Sequence, residues 1–538
     1  MSDGLATTFR LLRETQNEAA TRVLIPALDS RFPSVRDAAL EALLSRRSPA
    51  GHREVVSRLH TFEEPWRRMV GENHSRMLPA LRDAVISSDR QICVNGCRAA
   101  VWFCQYDLIP ALLIALEDPA NPNATVASEA LLDLTDSLCR ELADPHDNVQ
   151  RRDGQVVRRR AVGALEMSVG RFARHRRREI VEAFVLLTYR DNAVLRQILQ
   201  DPYHPAFVVL VDALSKSPQE AAIRLLLSFL DDPHAPSAVL SIVSKRSDTK
   251  FILALLHKVG RETAPAVTQN LRRLESIAWV GGDTAFLDSW SDFEQSAAVR
   301  LAMVSGIPRA QALSVVEHLL VCGKPGGRRA AAEALDKFRG ADANLLALQA
   351  LDDEDPEVQS RILVQLRGRG IPGALARLVE MIDSPHEIVR DAARKCLAEF
   401  SFARYLSSFD LLDEEVRAST GELVKKVDPQ ARAMLRAELT SAVRSRRLRG
   451  LAMARALGLV ADLEDTILAL ARDDDHMIRA EAALSLGQSN SRAARRALAC
   501  ALADRNPTVQ GAAGTSLRRQ FPSLSATPAP PAQELSQG

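Results

Sequence analysis

The sequence predicts an all-α protein: a right-handed α-solenoid, or superhelix, of about 15–17 helical hairpins. Three observations carry that prediction. One phrase recurs along the chain, as "FPSVRDAALEALL" at 32–44, "SPHEIVRDAARKCL" at 384–397 and "DHMIRAEAALSLG" at 475–487. Its apolar positions repeat at helical spacing, and alternating β-branched runs are scarce. Aromatic residues make up only 4% of the 538 while 46% are hydrophobic, so the core must come from Leu, Ala and Val, which suit closely packed helices.

An apolar marker opens each phrase: Val35, Val126, Val157, Val299, Val358, Val389, Val416, Leu448, Ile478 and Val509. Weaker forms near Trp66, Val94, Val208, Val239, Val267 and Gly327 bring most intervals to about 27–32 residues, a period of stacked helical units. The stretch 160–205 falls out of step and is expected to hold one irregular unit. The residues four and eight after a marker share its helix face, because side chains recur every 3.6 residues. Val35, Ala39 and Leu43 follow this rule, as do Val389, Ala393 and Leu397, Ile478, Ala482 and Leu486, and Val509, Ala513 and Leu517. The small Ala admits a neighbouring helix, and the Leu fills the space beyond it.

The residues before each marker explain where helices stop and start. "ALQALDDEDPEV" and "CALADRNPTV" run from apolar helix into Asp, turn residues, Pro and the marker. Asp accepts orphan backbone N–H groups at turns and caps, and Pro33, Pro356 and Pro507 suit a first helical turn. Each unit reads as helix, tight turn, helix. No such unit can bury its apolar face alone, so repetition is how the core is built.

The pattern resembles HEAT repeats, specifically the short bacterial type related to those of the phycobilisome lyases. The matching residues are Asp29, Asp383 and Asp504 and the pairs Val35–Arg36, Val389–Arg390, Val416–Arg417 and Ile478–Arg479. The resemblance implies stacked helix pairs up to about residue 521, a concave binding surface, and Asp–Arg ladders between adjacent units at those positions. Gln359 and Gln510 replace the Arg and would interrupt a continuous ladder. The function implied is a protein-interaction scaffold or adaptor in a bacterial regulatory or assembly system. Two rivals come from similar repeat proteins: nucleic-acid binding of the alkylpurine DNA glycosylase kind, and a bilin-lyase or chaperone role. Trp66, Trp102, Trp279 and Trp290 are widely spread, and no Asp matches the glycosylase pattern.

Units over 216–521 are the more regular, and those over 1–215 carry insertions such as "LADPHDNVQRRDGQ" at 142–155. A soft boundary is placed at "SKSPQE", near 215–220. The tail 522–538, rich in Pro, Ser and Ala, has little to bury and is expected to be disordered.

A net charge of +2 argues against bulk coating of nucleic acid or membrane and leaves local patches open. Only nine of the 70 basic residues are Lys, a bias that reads as a GC-rich genome. The start "MSDGLATTFRLLRE" lacks the layout of a secretory leader, and no apolar run approaches the roughly 20 residues of a membrane span. With seven scattered Cys, the expectation is a reduced, cytoplasmic protein without membrane insertion.

The densest local feature is basic. Residues 151–181 hold ten Arg, namely Arg151, Arg152, Arg158, Arg159, Arg160, Arg171, Arg174, Arg176, Arg177 and Arg178. Such a group can bind an acidic partner surface or phosphates, and the competing reading is a solvated face offset by neighbouring acids. "RSRRLRG" at 444–450 reads as structural. Cys93, Cys97 and Cys104 read as small buried hydrophobes rather than metal ligands. "CGKPGGRR" at 322–329 is expected to be an inter-unit loop, and Asp352, Asp353, Glu354 and Asp355 to serve turns and caps. No hydrolase, zincin or dinucleotide motif is found. The sequence therefore predicts no catalytic residue, no metal, no cofactor and no enzyme.

Overall fold

The computed structural model describes residues 3–143, 153–260, 264–280, 282 and 284–520. Among these it contains 33 α-helices, short 3-10 turns and no strand. The chain forms two compact units, Met1–His318 and Leu319–Gly538. The expected break near 215–220 is the turn between the helices Phe207–Lys216 and Glu220–Ser228, inside the first unit. The tail 522–538 and most of the 142–155 insertion lie outside the described residues.

The turns form as their Asp residues dictate. Asp353 accepts the Asp355 N–H at 2.7 Å, Asp473 that of Asp475 at 2.9 Å, and Asp504 that of Asn506 at 2.9 Å. Asp355 then caps the next helix by accepting from Glu357 N at 2.9 Å, and Asp475 does so from Met477 N at 2.8 Å. Pro33, Pro356 and Pro507 each open a helix. So does Pro325, which makes Gly326–Arg329 the first turn of the helix Pro325–Leu335 rather than part of the expected loop. Proline's fixed φ and missing N–H suit that position.

The marker rule selects the core. Ala39, Leu43, Ala393, Leu397, Ala482 and Leu486 are all fully buried, and each Leu so placed is worth about 1.5–3 kcal/mol of apolar transfer. Val416 departs from the rule at 41% exposure. In its helix, Glu414–Val427, the buried residues are Gly421, Val424 and Val427 instead.

One device links neighbouring helix pairs and was not anticipated. The last carbonyls of a helix have no partner within it, and here a polar side chain of a following unit, buried in every case but the half-buried Gln520, takes them. Arg46 donates to the carbonyls of Leu12 at 2.6 Å and Asn17 at 2.8 Å, beyond the helix Asp3–Glu14. Arg246 does the same for Leu214 at 2.8 Å and Ser217 at 2.6 Å. Arg369 serves Leu335 at 2.6 Å and Phe338 at 3.2 Å, and Gln520 serves Leu486 at 3.2 Å and Ser489 at 2.7 Å. Asn95 and Asn270 act alike on Val56 and Ser57, and on Leu230 and Asp232. Arg46, Arg369 and Gln520 stand at one offset after their markers Val35, Val358 and Val509.

The Arg that follows the marker mostly serves its own unit. Arg390 binds the carbonyl of Ser384 at 2.9 Å, Arg417 that of Phe409 at 2.7 Å and Arg479 that of Asp473 at 2.9 Å. Gln359 and Gln510 reproduce this bond, to Asp353 and Asp504 at 2.7 Å each. Arg479 alone among these also reaches the Asp of the next unit, Asp504, within the described residues. Asp29 pairs instead with Arg58 at 2.6 Å, and Asp383 lies 3.8 Å from Lys426.

Candidate functional site

Asp153 starts the helix Gly154–Val169 by accepting the Gln155 N–H at 3.0 Å. This helix decides the fate of the expected arginine patch. Arg158, Arg159 and Arg160 lie near its start, and Arg171 to Arg178 lie beyond its end. At a rise of about 1.5 Å per residue the two groups stand roughly 17 Å apart. The eight described arginines therefore form two clusters rather than one, and Arg151 and Arg152 lie outside the described residues.

Most members of the clusters already have work within the fold. Arg158 donates to the carbonyls of Leu187 at 2.6 Å and Thr188 at 2.8 Å, closing the end of the helix Arg178–Leu187. Arg177 donates to Leu116 O at 3.0 Å. Arg171 grips both oxygens of Glu117 at 2.9 and 2.6 Å, which holds that carboxyl below its ordinary range against the opposing effect of burial. Arg178 pairs with Glu182 at 2.7 Å and Asp212 at 2.6 Å, and Arg160 stands 3.9 Å from Asp107. Arg159, Arg174 and Arg176 are exposed and ion-pair with none of the described residues. Arg176 adopts a left-handed backbone, φ 52°, where the short helix Phe172–His175 ends, so the irregular unit expected over 160–205 is real.

A cavity of about 450 Å³ opens beside the first cluster. Arg158, Arg190 and Arg224 line it, with Tyr189, Thr188 and Cys139. The helices Ala124–Ala143, Gly154–Val169 and Glu220–Ser228 and the turn after Leu187 supply these residues. Among the described residues Asp191 is the one carboxylate in the lining, 3.6 Å from Arg190. Arg190 is also held by Ser228 O at 3.1 Å, and Arg224 lies 3.8 Å from Glu220. Arg158 sits over the Tyr189 ring at 5.8 Å. The Thr188 hydroxyl is buried and has no hydrogen-bond partner among the described residues. Burial pushes the Cys139 thiol up to about 11, Asp136 adds to this, and the Arg158 and Arg224 charges oppose it. That thiol is protonated near neutrality and is not an activated nucleophile. The arrangement offers guanidinium and hydroxyl donors to an anion and brings together no general acid–base pair.

The sequence pointed to Arg158 and missed Arg190, Arg224, Tyr189 and Thr188. The signal was present, since the three arginines recur at about one repeat period. The second basic stretch is structural, as expected: Arg444 and Arg446 pair with Asp475 and Glu438, and Arg447 and Arg449 lie 3.4 Å from Asp473 and 3.7 Å from Asp410. Cys93 and Cys97 are buried and their sulfurs lie 4.0 Å apart. Trp279 and Trp290 are buried and stack edge-on at 5.8 Å, which removes them from any exposed groove. Among the described residues no helix is long and apolar enough to cross a membrane.

Stacked helix pairs of this construction define an α-solenoid. Residues 314–398 match the family model for HEAT repeats. No curated protein matches the chain. Among solved structures it is similar to one reporting Kap95p binding to RanGDP, at 14% identity over 97% of this chain and 74% of that one, TM-score 0.24. It is also similar to Kap121p bound to Pho4p, at 13% identity over 97% of this chain and 54% of that one, TM-score 0.23. The chain thus spans about half of that Kap121p chain. An engineered protein matches at 14% identity over 93% of this chain and 98% of its own length, TM-score 0.17.

Proposed function

We propose that this chain is a non-enzymatic protein–protein interaction scaffold, an adaptor of the bacterial cytoplasm, whose first unit receives an acidic segment of a partner protein. The observation that carries the reading is the convergence of Arg158, Arg190 and Arg224 on one open cavity, with Asp191 the single carboxylate lining it among the described residues. Guanidinium groups recognise carboxylates through paired N–H donors. Arg159, Arg174 and Arg176, exposed and without ionic partners among the described residues, add positive potential that steers an acidic surface toward the unit. Repeated helix pairs supply the extended surface on which such partners dock.

The test compares proteins captured from lysate by the wild-type chain and by the variant Arg159→Glu/Arg174→Glu/Arg176→Glu/Arg224→Glu. The reading expects acidic partners to disappear from the variant's set while helicity is unchanged. An identical partner set would remove this region from the argument. Tight binding of a DNA duplex with steep salt dependence would replace the reading with nucleic-acid recognition.

A further inference from the structure

A second cavity, also in the first unit, has stronger anion chemistry than the first. It encloses about 410 Å³, and its lining includes Arg47, His52, Arg53, Ser75, Arg76 and Asp83. The three arginines are exposed, and none forms an ion pair with a described carboxylate. Arg53 donates only to Pro49 O at 3.3 Å and Arg76 to Ser45 O at 3.1 Å, among the described residues, so both keep guanidinium N–H groups free. Asp83 is the one carboxylate of the lining among the described residues. Three like charges around a concave surface repel one another and are relieved by a bound anion.

His52 supplies the second, independent observation. It is 4% exposed, and its Nε2 has no hydrogen-bond partner among the described residues. Burial, helped by the Arg76 charge and opposed by the backbone of Arg46 and Leu43, lowers its pKa and keeps the ring neutral. A neutral imidazole holds one donor and one acceptor nitrogen, so the buried Nε2 calls for a partner in either role. Buried polar atoms without partners are rare and costly in folded proteins.

We propose that this cavity is a phosphate-binding site, filled by free phosphate or by the phosphate monoester of a phosphorylated peptide. Arg47, Arg53 and Arg76 grip the phosphate oxygens, and His52 Nε2 accepts the hydrogen of a protonated one. A phosphate monoester has its second pKa near about 6 and keeps a P–OH population at neutral pH. Sulfate has a similar shape and charge but no such hydrogen, so the site prefers phosphate.

Calorimetric titration of the full chain tests this with four probes: inorganic phosphate, sulfate, a phosphoserine peptide and its unphosphorylated form. The expected result is phosphate binding at least tenfold tighter than sulfate. Arg47→Ala/Arg53→Ala should weaken it tenfold or more with helicity unchanged, since both side chains are exposed. A phosphopeptide that binds tighter than the free ion assigns the site to a phosphorylated partner, and equal binding assigns it to the free ion. His52→Gln should erase the preference over sulfate while the arginines still bind both ions. Nitrogen NMR offers a reading that needs no variant: phosphate should move the His52 Nε2 resonance. No binding of phosphate or phosphopeptide, equal binding in the double variant, or an unmoved Nε2 resonance would overturn the proposal. None of these residues lines the Arg158 cavity, so its failure leaves the scaffold reading untouched.

Discussion

Arg479 meets both carboxylate oxygens of Asp504, in the following repeat, through Nε at 2.9 Å and Nη2 at 3.0 Å. The side chains are only 19% and 15% exposed, so water and salt screen the pair incompletely. The Arg479 bond, with help from the Asn506 backbone N–H, holds the Asp504 carboxyl below its usual range. Asp504→Asn is expected to cost about 1.5–3 kcal/mol, a typical value for a charge-assisted hydrogen bond. A depressed carboxyl contributes in full above the unfolded-state value of about 3.9 and loses its contribution as pH falls through the folded value. Urea unfolding should therefore separate wild type from Asp504→Asn at pH 6 and bring them together near pH 2. A gap that persists in acid would mean the pair is not its source.

Arg369 makes a different prediction, because it serves backbone carbonyls rather than a carboxylate. It is 7% exposed and closes the helix Pro325–Leu335 from the following unit. Burial, with the nearby Arg339 charge, lowers its pKa, so holding this charge inside is costly unless the carbonyls repay it. Gln520 performs the same task without charge. Arg369→Gln should thus keep most of the stability, and Arg369→Leu should lose about 2–3 kcal/mol by leaving buried carbonyls unmet. Denaturation followed by circular dichroism checks the order of the three proteins, and Leu equal to Gln would contradict it.

These two arginines also show what the sequence made legible. The repeat, the Asp turns, the Pro starts and the Ala–Leu core follow from spacing within one unit, and spacing is visible in a string of letters. The ladder expected from Val/Ile–Arg pairs was harder, because Arg390 and Arg417 fold back onto their own turns while Arg479 reaches onward. Sequence cannot decide between a carbonyl six residues back and a carboxylate one unit ahead. The described arginines of the group at 151–178 divide into two clusters for a similar reason. Density along the chain is not proximity in space when a helix of 16 residues separates the two halves. Arg158, Arg190 and Arg224 do converge although the chain separates them, since packing brings the helix Gly154–Val169, the turn after Leu187 and the helix Glu220–Ser228 around one cavity.

Two glycines in helices should respond in opposite directions to Ala. At Gly421 an added Cβ would lie 2.6 Å from Ala456 O, the backbone of the helix Arg444–Ala456. Backbone cannot swing aside as a side chain can, so Gly421→Ala should destabilise by about 1–3 kcal/mol. At Gly163, inside the helix Gly154–Val169, nothing lies within 4 Å of the added Cβ. Gly163→Ala should stabilise by about 0.5–1 kcal/mol through better helix propensity. Thermal unfolding of the two variants side by side is decisive, since shifts of the same sign would refute the contrast.

The cysteines provide a chemical probe of the Arg158 cavity. Cys500 is exposed and Cys139 lines the cavity wall. With its thiol pushed up to about 11, Cys139 holds little thiolate at pH 7.5, and thiolate is the reactive form. Iodoacetamide should therefore modify Cys500 well before Cys139. Below the Cys139 pKa its rate should rise about tenfold per pH unit, following the thiolate fraction. Arg158→Ala removes one of the two cations that oppose the upward shift, so it should slow Cys139 further, whereas merely opening the cavity would speed it. Peptide mass spectrometry over pH 7–10 reads all three trends, and faster labelling of Cys139 in Arg158→Ala would show that Arg158 acts there as a plug and not as a charge.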